Sequence, residues 1–553
     1  MSRRGLAAVV LLQLAALLAV CVLVGDNGWD DGAITLAFSR TFARHGAVAL
    51  TPRSETVEGF SSVSWWLLNA GVALARLSFS SAILASQILA ALCVCGVTLL
   101  LARTCALLGL ERRWATGTVI VFAAWGCSFS EASNGMEMGL LAVAILLMVN
   151  QLLSPRPRLG WLAVGTVLAV ATRFEAALYV AALGAAVVTV RGRRAFWTLV
   201  ISATAAVLLL TIWRLHVFSD VMPNTVWAKR WPPYAGFGLV GRLKGALELP
   251  FFFLAPLAVL VGARLSGFHF AFEVRSRGRA VWILVCPILA AVLMGVLTGE
   301  HWGYPGRMPY FAFPLVLALG ALLLSSWAKV NRGRLAIVAG ASLLSLGLSV
   351  RGFPLGSLAA AWHGGSFGVT PHTYAQSGRM FRRVAAAAPL PHATILTPDL
   401  GGLALGYDEF RLVDLGLLAN RTLAHGGPAA IGEVLARESP ELIEAHWEWA
   451  SVGKLYDLPA FQTRYVPTFD SGTKIWLRRD VAAAIEGAGR GCWLAMDGQR
   501  IQQALRAHRY ADHDLPADRA AFERSGVVFA LNLPEAGNLC QGTHQGVGRG
   551  AGR

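Results

Sequence analysis

Apolar residues fill the first two thirds of the chain in long blocks, separated by short polar islands. A helix crossing about 30 Å of hydrocarbon needs about 20 apolar residues. By that measure the pattern predicts eleven spans, at 5–25, 81–102, 115–132, 136–152, 160–172, 175–190, 195–217, 246–263, 280–298, 308–327 and 335–350, several of them short. A twelfth apolar stretch, 61–79, has the composition of either a span or a helix lying in the interface. From residue 351 hydrophobicity falls and Asp, Glu, His and Pro return. Period-two patterns at 393–397, 411–415, 463–468 and 473–478 predict strands, and helical patterns fall at 374–388, 427–446 and 497–508. The expected fold is an α-helical polytopic membrane protein with about eleven transmembrane helices and a C-terminal α/β extracytoplasmic domain. The membrane domain takes residues 1–350, the α/β domain 351–540, and the Gly-rich end 541–553 reads as a disordered tail. No internal repeat is evident.

Composition supports this division. Of 553 residues, 55% are hydrophobic and 14% charged, well below the roughly 25% charged residues of a soluble domain. A net charge of +16 first points toward nucleic acid. Its placement argues otherwise. If 61–79 does not cross, one set of loops holds Arg3, Arg4, Arg103, Arg112, Arg113, Arg156, Arg158, Arg191, Arg193, Arg194, Arg264, Arg275, Arg277, Arg279, Lys329, Arg332 and Arg334 against only Glu111 and Glu273, which puts +15 on one face. The positive-inside rule makes that face cytoplasmic, with the N-terminus inside and the C-terminal domain outside. A crossing at 61–79 would invert every later loop, so that stretch is read as an interfacial helix. The same logic breaks 160–190 into two short helices at Arg173. The first segment lacks a small-residue cleavage pattern and reads as an uncleaved anchor. No nucleic-acid partner is implied.

Six cysteines lie in or beside spans and read as small core residues. Cys492 and Cys540 fall in the outer domain, where they form either a disulfide or two free thiols. No CxxC pair or HExxH motif indicates a metal site, so no metal ligand is assigned and a divalent metal is optional.

The remaining polar islands sort to the outer face: Trp29–Gly32, Glu55–Ser62, Glu131–Glu137, Thr172–Glu175, Pro223–Lys229 and Gly299–Arg307. Ionisable groups near lipid are costly unless paired or functional, so their convergence predicts one outward-facing site. Each island carries two readings. Asp30 and Asp31 either cap the helix that follows or supply a general base. Arg173 and Glu175 form either an internal ion pair or part of a substrate site. Glu137 opens a helix, where a carboxylate suits the dipole. Lys229, Arg230 and Arg307 either snorkel to the interface or clamp a phosphate. His301 either makes an ordinary hydrogen bond or ligates a metal.

The ordered set DDGAITLA (30–37), ETVEGFSSVSW (55–65), SNGMEMGL (133–140), TRFEA (172–176), PNTVWAK (223–229) and GEHWGYPGR (299–307) resembles the GT-C superfamily of polyprenyl-phosphate-dependent glycosyltransferases. Within it, the set is most like the AftB family, the terminal β-(1→2)-arabinofuranosyltransferases of mycobacterial cell walls. The resemblance covers about the first 310 residues. It implies an inverting transfer of a sugar, arabinofuranose by preference, from a polyprenyl-phosphate donor to a glycan, glycolipid or glycoprotein acceptor of the cell envelope. The reaction would take place on the outer face of a bacterial inner membrane. The resemblance further implies that one of Asp30 and Asp31 is the base, and that Lys229, Arg307 and Arg173 hold the donor phosphate. Glu58, Glu137, Glu175, Asn224, Glu300 and His301 would line the site. Here the family's RPE is Arg173-Phe174-Glu175, and its GGD-type turn is Gly299-Glu300-His301. Another lipid-linked sugar (mannose, glucose or aminoarabinose), a transporter, and a non-catalytic glycan-binding scaffold are the competing readings. The expected partners are the bilayer, the lipid-linked donor and the glycan acceptor.

Overall fold

The computed structural model describes residues 1–190, 192–232, 234, 238–253, 274–299, 303–328, 332–365, 368–388, 390, 392–469, 474–495, 516–532 and 540. It divides into two compact units. The first comprises Met1–Leu36, Ser61–Val221 and Phe237–Thr370; the second comprises Ala37–Phe60, Met222–Gly236 and Pro371–Arg553.

The first unit is helical. Among the described residues, four helices are long and apolar enough to cross a membrane: Arg3–Val24, Phe79–Leu107, Arg193–Phe218 and Gly278–Thr298. A bent pair, Ser342–Gly352 and Leu355–Trp362, makes a fifth if it counts as one span. The chain is therefore a membrane protein, and among the described residues several other expected spans appear as shorter or divided apolar helices. The block at 115–132 is divided into Arg112–Ala123 and Gly126–Ser133, and Met138–Leu153, Leu159–Thr172 and Ala176–Val190 have only 14 to 16 residues. The stretch at 61–79 forms an eleven-residue helix, Val63–Ala73. The expected break at Arg173 is present, with Arg173 in extended backbone between two helices. Leu208, Leu209 and Ile212 are exposed, a cost in water that lipid removes.

Serines start several of these helices by accepting from a backbone N–H in the first turn. Ser2 caps Gly5, Ser62 caps Trp65 and Ser78 caps Ser81. Where neighbours are equally apolar, helices associate through close packing and hydrogen bonds. Both occur here. Thr98 donates to Gln13 at 2.6 Å and Thr104 to Asn150 at 2.9 Å. Gly245 and Gly295 let Gly238–Phe251 and Val274–Thr298 touch backbone to backbone; a Cβ on either would meet the other's carbonyl oxygen at 2.3–2.4 Å or a neighbouring one.

The second unit is α/β. Strands β1 (Thr394–Thr397), β2 (Arg411–Asp414), β3 (Leu442–Glu444), β4 (Tyr465–Pro467) and β5 (Ile475–Arg478) form a sheet in the order β2-β1-β3-β5-β4. β1 runs parallel to β2 and β3, while β5 is antiparallel to β3 and β4. The helical pattern expected over 427–446 is therefore wrong at its end. Helix stops at Glu438, and Leu442–Glu444 is a central, fully buried strand. A three-residue strand buried on both faces is too short to show a period. Strands β6 (Gly491–Ala495) and β7 (Val527–Leu531) form a second, antiparallel pair. Cys492 and Cys540 are joined by a disulfide. The helix expected at 497–508 and the tail at 541–553 lie outside the described residues.

Asp414, at the end of β2, is fully buried and accepts from the backbone N–H groups of Gly416 and Ala419. Burial outweighs those bonds and pushes its carboxyl up from the ordinary 3.8 to about 7. Between those values the folded chain holds a proton that the unfolded chain releases, so stability must fall as pH rises through the window. The slope is about 1 kcal/mol per pH unit. Thermal unfolding of the purified protein in detergent should show this decline from pH 4.5 to 7, and Asp414→Asn should flatten it. An equally steep decline in the variant would contradict the assignment.

Candidate functional site

The site is built in the first unit by four of the polar islands and the stretch 62–66, which bond to one another. Helix Asp30–His45 begins directly after Trp29, whose N–H donates to Asn134 Oδ1 at 2.7 Å. Gly28 and Gly32 allow this approach, since a Cβ on them would lie 2.7 Å and 2.4 Å from the carbonyl oxygens of Ser133 and Asn134. Trp65 is buried and donates from Nε1 to the Gly135 carbonyl at 2.9 Å. Ser64 and Thr172 share a hydrogen bond of 2.8 Å. Segments 29–32, 62–66, 131–139 and 172–175 are thus held together mostly through side-chain bonds to neighbouring backbone.

Charge follows the same route. Arg173 is buried and bonded twice. Its Nη1 meets Glu137 Oε1 at 2.9 Å and its Nε meets Glu175 Oε1 at 2.7 Å. Glu137 stands just before helix Met138–Leu153 but makes no cap bond; its carboxylate turns to Arg173 instead. Arg307 Nη1 meets Asp31 Oδ2 at 2.6 Å. Burial opposes the charge on Arg307, but Asp31 first and Glu137 next outweigh it and raise its pKa. The field of Arg307 also reaches Arg173. Two guanidinium groups and three carboxylates therefore form one electrostatic cluster.

The loop carrying Arg307 needs its glycines. Gly303 has φ +125°, and a Cβ there would press on the Arg307 side chain at 3.1 Å; Gly306 has φ +83°. The Gly306 N–H donates to Glu248 Oε1 at 2.6 Å. Tyr304 donates its hydroxyl to Glu131, which also accepts from the Gly139 N–H at 2.7 Å.

Asp30 and Asp31 both lie in the first turn of helix Asp30–His45, where a carboxylate suits the dipole. They differ in access: Asp30 is 4% exposed, whereas the Asp31 side chain is 39% exposed. The structure brings together Asp31, Glu137, Arg173, Glu175 and Arg307, with Asp30 adjacent in the helix. Glu58, Asn224 and Lys229 belong to the second unit. There Glu58 is buried, and Asn224 donates from Nδ2 to the Leu418 carbonyl at 2.7 Å. Lys229 is exposed at the end of helix Asn224–Ala228, and Arg230 stacks on the Trp227 ring at 4.1 Å. Glu300 and His301 lie outside the described residues. Glu131, Tyr304 and Glu248 were not singled out from the sequence. A carboxylate inside the apolar run at 246–263 is the signal that points to Glu248.

Among the described residues, one group has donor atoms close enough to hold a metal ion: Asp399, Glu444 and His446 of the second unit, within 4.8 Å of one another. Lys474 Nζ already lies 2.8 Å from Glu444 and 3.4 Å from Asp399, and His446 Nε2 lies 3.0 Å from Asp399. Burial works to raise the Asp399 pKa, but His446 and Lys474 together hold it below the ordinary value. The lysine ammonium supplies the positive charge these carboxylates require.

No family model and no curated protein matches the chain. Two crystal structures of an oligosaccharyltransferase from Archaeoglobus fulgidus resemble it in part. One is a complex with Zn and sulfate, the other is tethered to an acceptor peptide containing the NVT sequon through a disulfide bond. Each aligns with a TM-score of 0.46 and 13% identity, over 82% and 83% of this chain and 71% and 72% of the other. A likeness at this level establishes neither activity nor substrate.

The Arg173 clamp should be essential to the unit. Arg173→Ala strands the buried Glu137 carboxylate, a change that costs about 3–5 kcal/mol. Thermal melting in detergent should drop clearly, and adding Glu137→Gln should recover part of the loss. An unchanged melting temperature in Arg173→Ala would contradict the role assigned to the pair.

Proposed function

We propose that the chain is a GT-C glycosyltransferase that moves a sugar, arabinofuranose by preference, from a polyprenyl-phosphate donor to a cell-envelope glycan acceptor. The observation that carries the reading is the Asp31–Arg307 pair: an accessible carboxylate and a guanidinium in direct contact, in a membrane protein, inside a set of interlocked islands. Transfer from a lipid phosphate requires those two groups. The carboxylate takes the proton of the acceptor hydroxyl. The hydroxyl oxygen then forms a bond to the anomeric carbon from the face opposite the phosphate. The anomeric carbon–oxygen bond to phosphate breaks, its electron pair leaves with the polyprenyl phosphate, and the configuration inverts. The leaving oxygen gains negative charge in the transition state, where a positioned cation is most effective. A phosphate leaves without being protonated, so one carboxylate suffices where glycoside hydrolysis uses two.

Access favours Asp31 over the buried Asp30 as the base. Arg173, already held by two carboxylates, is better suited to positioning Glu137 than to binding phosphate. The disulfide Cys492–Cys540 supports an oxidising, extracytoplasmic compartment for the second unit. The charge asymmetry of the loops supports the same side.

The test is sugar transfer by the purified protein, in lipid, from a panel of polyprenyl-phosphate sugars. Asp31→Asn should lower the rate by about 10²–10⁴, and Asp30→Asn should do so less. Full activity in Asp31→Asn would overturn the assignment of the base. Failure to consume any donor in the panel would overturn the glycosyltransferase reading.

A further inference from the structure

We propose that the second unit carries a binding site for a small anionic sugar: a ligand of monosaccharide size, with hydroxyls and one carboxylate or phosphate group. The site is a cleft of about 320 Å³ at the β2 edge of the five-stranded sheet, formed by residues of that unit. A volume of this order falls at the small end of ligand pockets, about 300–1,000 Å³. None of its residues belongs to the Asp31–Arg307 cluster, so the inference stands apart from the glycosyltransferase reading.

Four pieces of chain surround the cleft: the turn at 53–55, strand β2, the loop before helix Arg421–Gly426, and the last turn of helix Ile431–Glu438. Polar bonds fasten them together. Thr51 donates to the Phe410 carbonyl at 2.8 Å, Ser54 Oγ accepts from the Leu412 N–H at 3.1 Å, and Glu55 accepts from the Arg421 N–H at 3.2 Å. Walls fixed in this way lower the ordering cost of binding.

On these walls the fold places three guanidinium groups, Arg53, Arg411 and Arg437, against two carboxylates, Glu55 and Glu438, which leaves one net positive charge. Compensation is uneven. Glu438 serves two arginines at once, meeting Arg411 Nη2 at 2.6 Å and Arg437 Nε at 3.0 Å. Arg437 also reaches Thr422 Oγ1 at 2.9 Å and Glu433 at 3.5 Å. Arg53 meets the His392 ring, Nη2 to Nε2 at 2.8 Å. The guanidinium groups are reachable: the Arg411 and Arg437 side chains are 45% and 44% exposed, and Arg53 is exposed. Each has five N–H donors, more than these contacts engage. Ion pairs so exposed contribute little to stability, so folding gives a weak reason to gather three arginines at one sheet edge. An oxyanion gives a strong one, because guanidinium groups hold it through charge-assisted hydrogen bonds.

The rest of the wall suits hydroxyls. Asn420 is buried; its Oδ1 caps the following helix by accepting from the Leu423 N–H at 2.9 Å, and its Nδ2 makes no hydrogen bond among the described residues. Glu55 accepts the Arg421 N–H on Oε2, and its other oxygen can accept from a hydroxyl. Among the described residues no aromatic ring lines the cleft, which disfavours a nucleobase or an aryl ligand.

The test is a ligand-observed NMR titration of the full-length protein in detergent with glucuronate and with glucose 6-phosphate, glucose serving as the uncharged control. The charged sugars should bind at least about 10-fold more tightly than glucose. Binding of one of the two alone also supports the site and identifies the oxyanion as carboxylate or phosphate. Arg53→Gln and Arg437→Gln should each weaken that binding about 10-fold, and Arg53→Gln should leave the melting temperature unchanged. Arg382→Gln, which removes an exposed arginine paired with Glu409 outside the cleft, should bind like wild type. Inorganic phosphate binding as tightly as glucose 6-phosphate would overturn the sugar class. The proposal is overturned as a whole if glucose binds as tightly as the charged sugars, if neither charged sugar binds, or if both cleft variants bind them like wild type. Each of these outcomes leaves the reading of Asp31 untouched.

Discussion

A buried guanidinium must be paired, and in the first unit Arg173 meets that requirement with two carboxylates. In surroundings of low dielectric an unpaired charge costs several kcal/mol. Glu137 and Glu175 remove that cost only if three separate pieces of chain arrive at one point: the start of Met138–Leu153, the end of Leu159–Thr172 and the start of Ala176–Val190. The break that keeps the two short helices apart is also where Arg173 turns its side chain inward. One electrostatic demand thus sets the helix ends and gathers the residues from which the site is built.

Close backbone approach is the second device. Gly28 and Gly32 bring the start of the Asp30 helix against Ser133 and Asn134, and Gly303 and Gly306 fold a turn around Arg307. At each place a methyl group would collide with a carbonyl oxygen or a side chain. The glycines put Asp31 and Arg307 within one hydrogen bond, although 276 positions separate them in the chain. Tyr304 and Glu131 then tie the Arg307 turn to the island that also receives Trp29 and Trp65. The second unit applies the same rule of compensated burial. Its carboxylates at the ends of β1 and β3 are answered by Lys474 and His446, whereas Asp414 is met by backbone donors and keeps its proton to higher pH.

Much of this was legible in the residues. Uneven charge among the loops, long apolar blocks and the break at Arg173 are properties of neighbouring positions, and local spacing carries them. The strands around 394, 411, 465 and 475 were readable because they alternate or are framed by turn residues. Leu442–Glu444 was not, since a three-residue strand buried on both faces looks like the end of the helix before it. An apolar block shows where lipid or core is tolerated, but not where a helix ends inside it, as the division of 115–132 into two helices illustrates.

By itself, then, the sequence determined that the chain enters a membrane and that its few ionisable residues outside the basic loops belong to ordered islands, because hydropathy and charge act locally and need no partner. Tertiary structure alone decided which charges meet. Asp31 and Asp30 are equivalent in the sequence, as are Arg173 and Arg307, and only folding makes one aspartate accessible and one arginine saturated. Pairing depends on the distance between groups far apart in the chain, and no pattern of neighbours contains that distance.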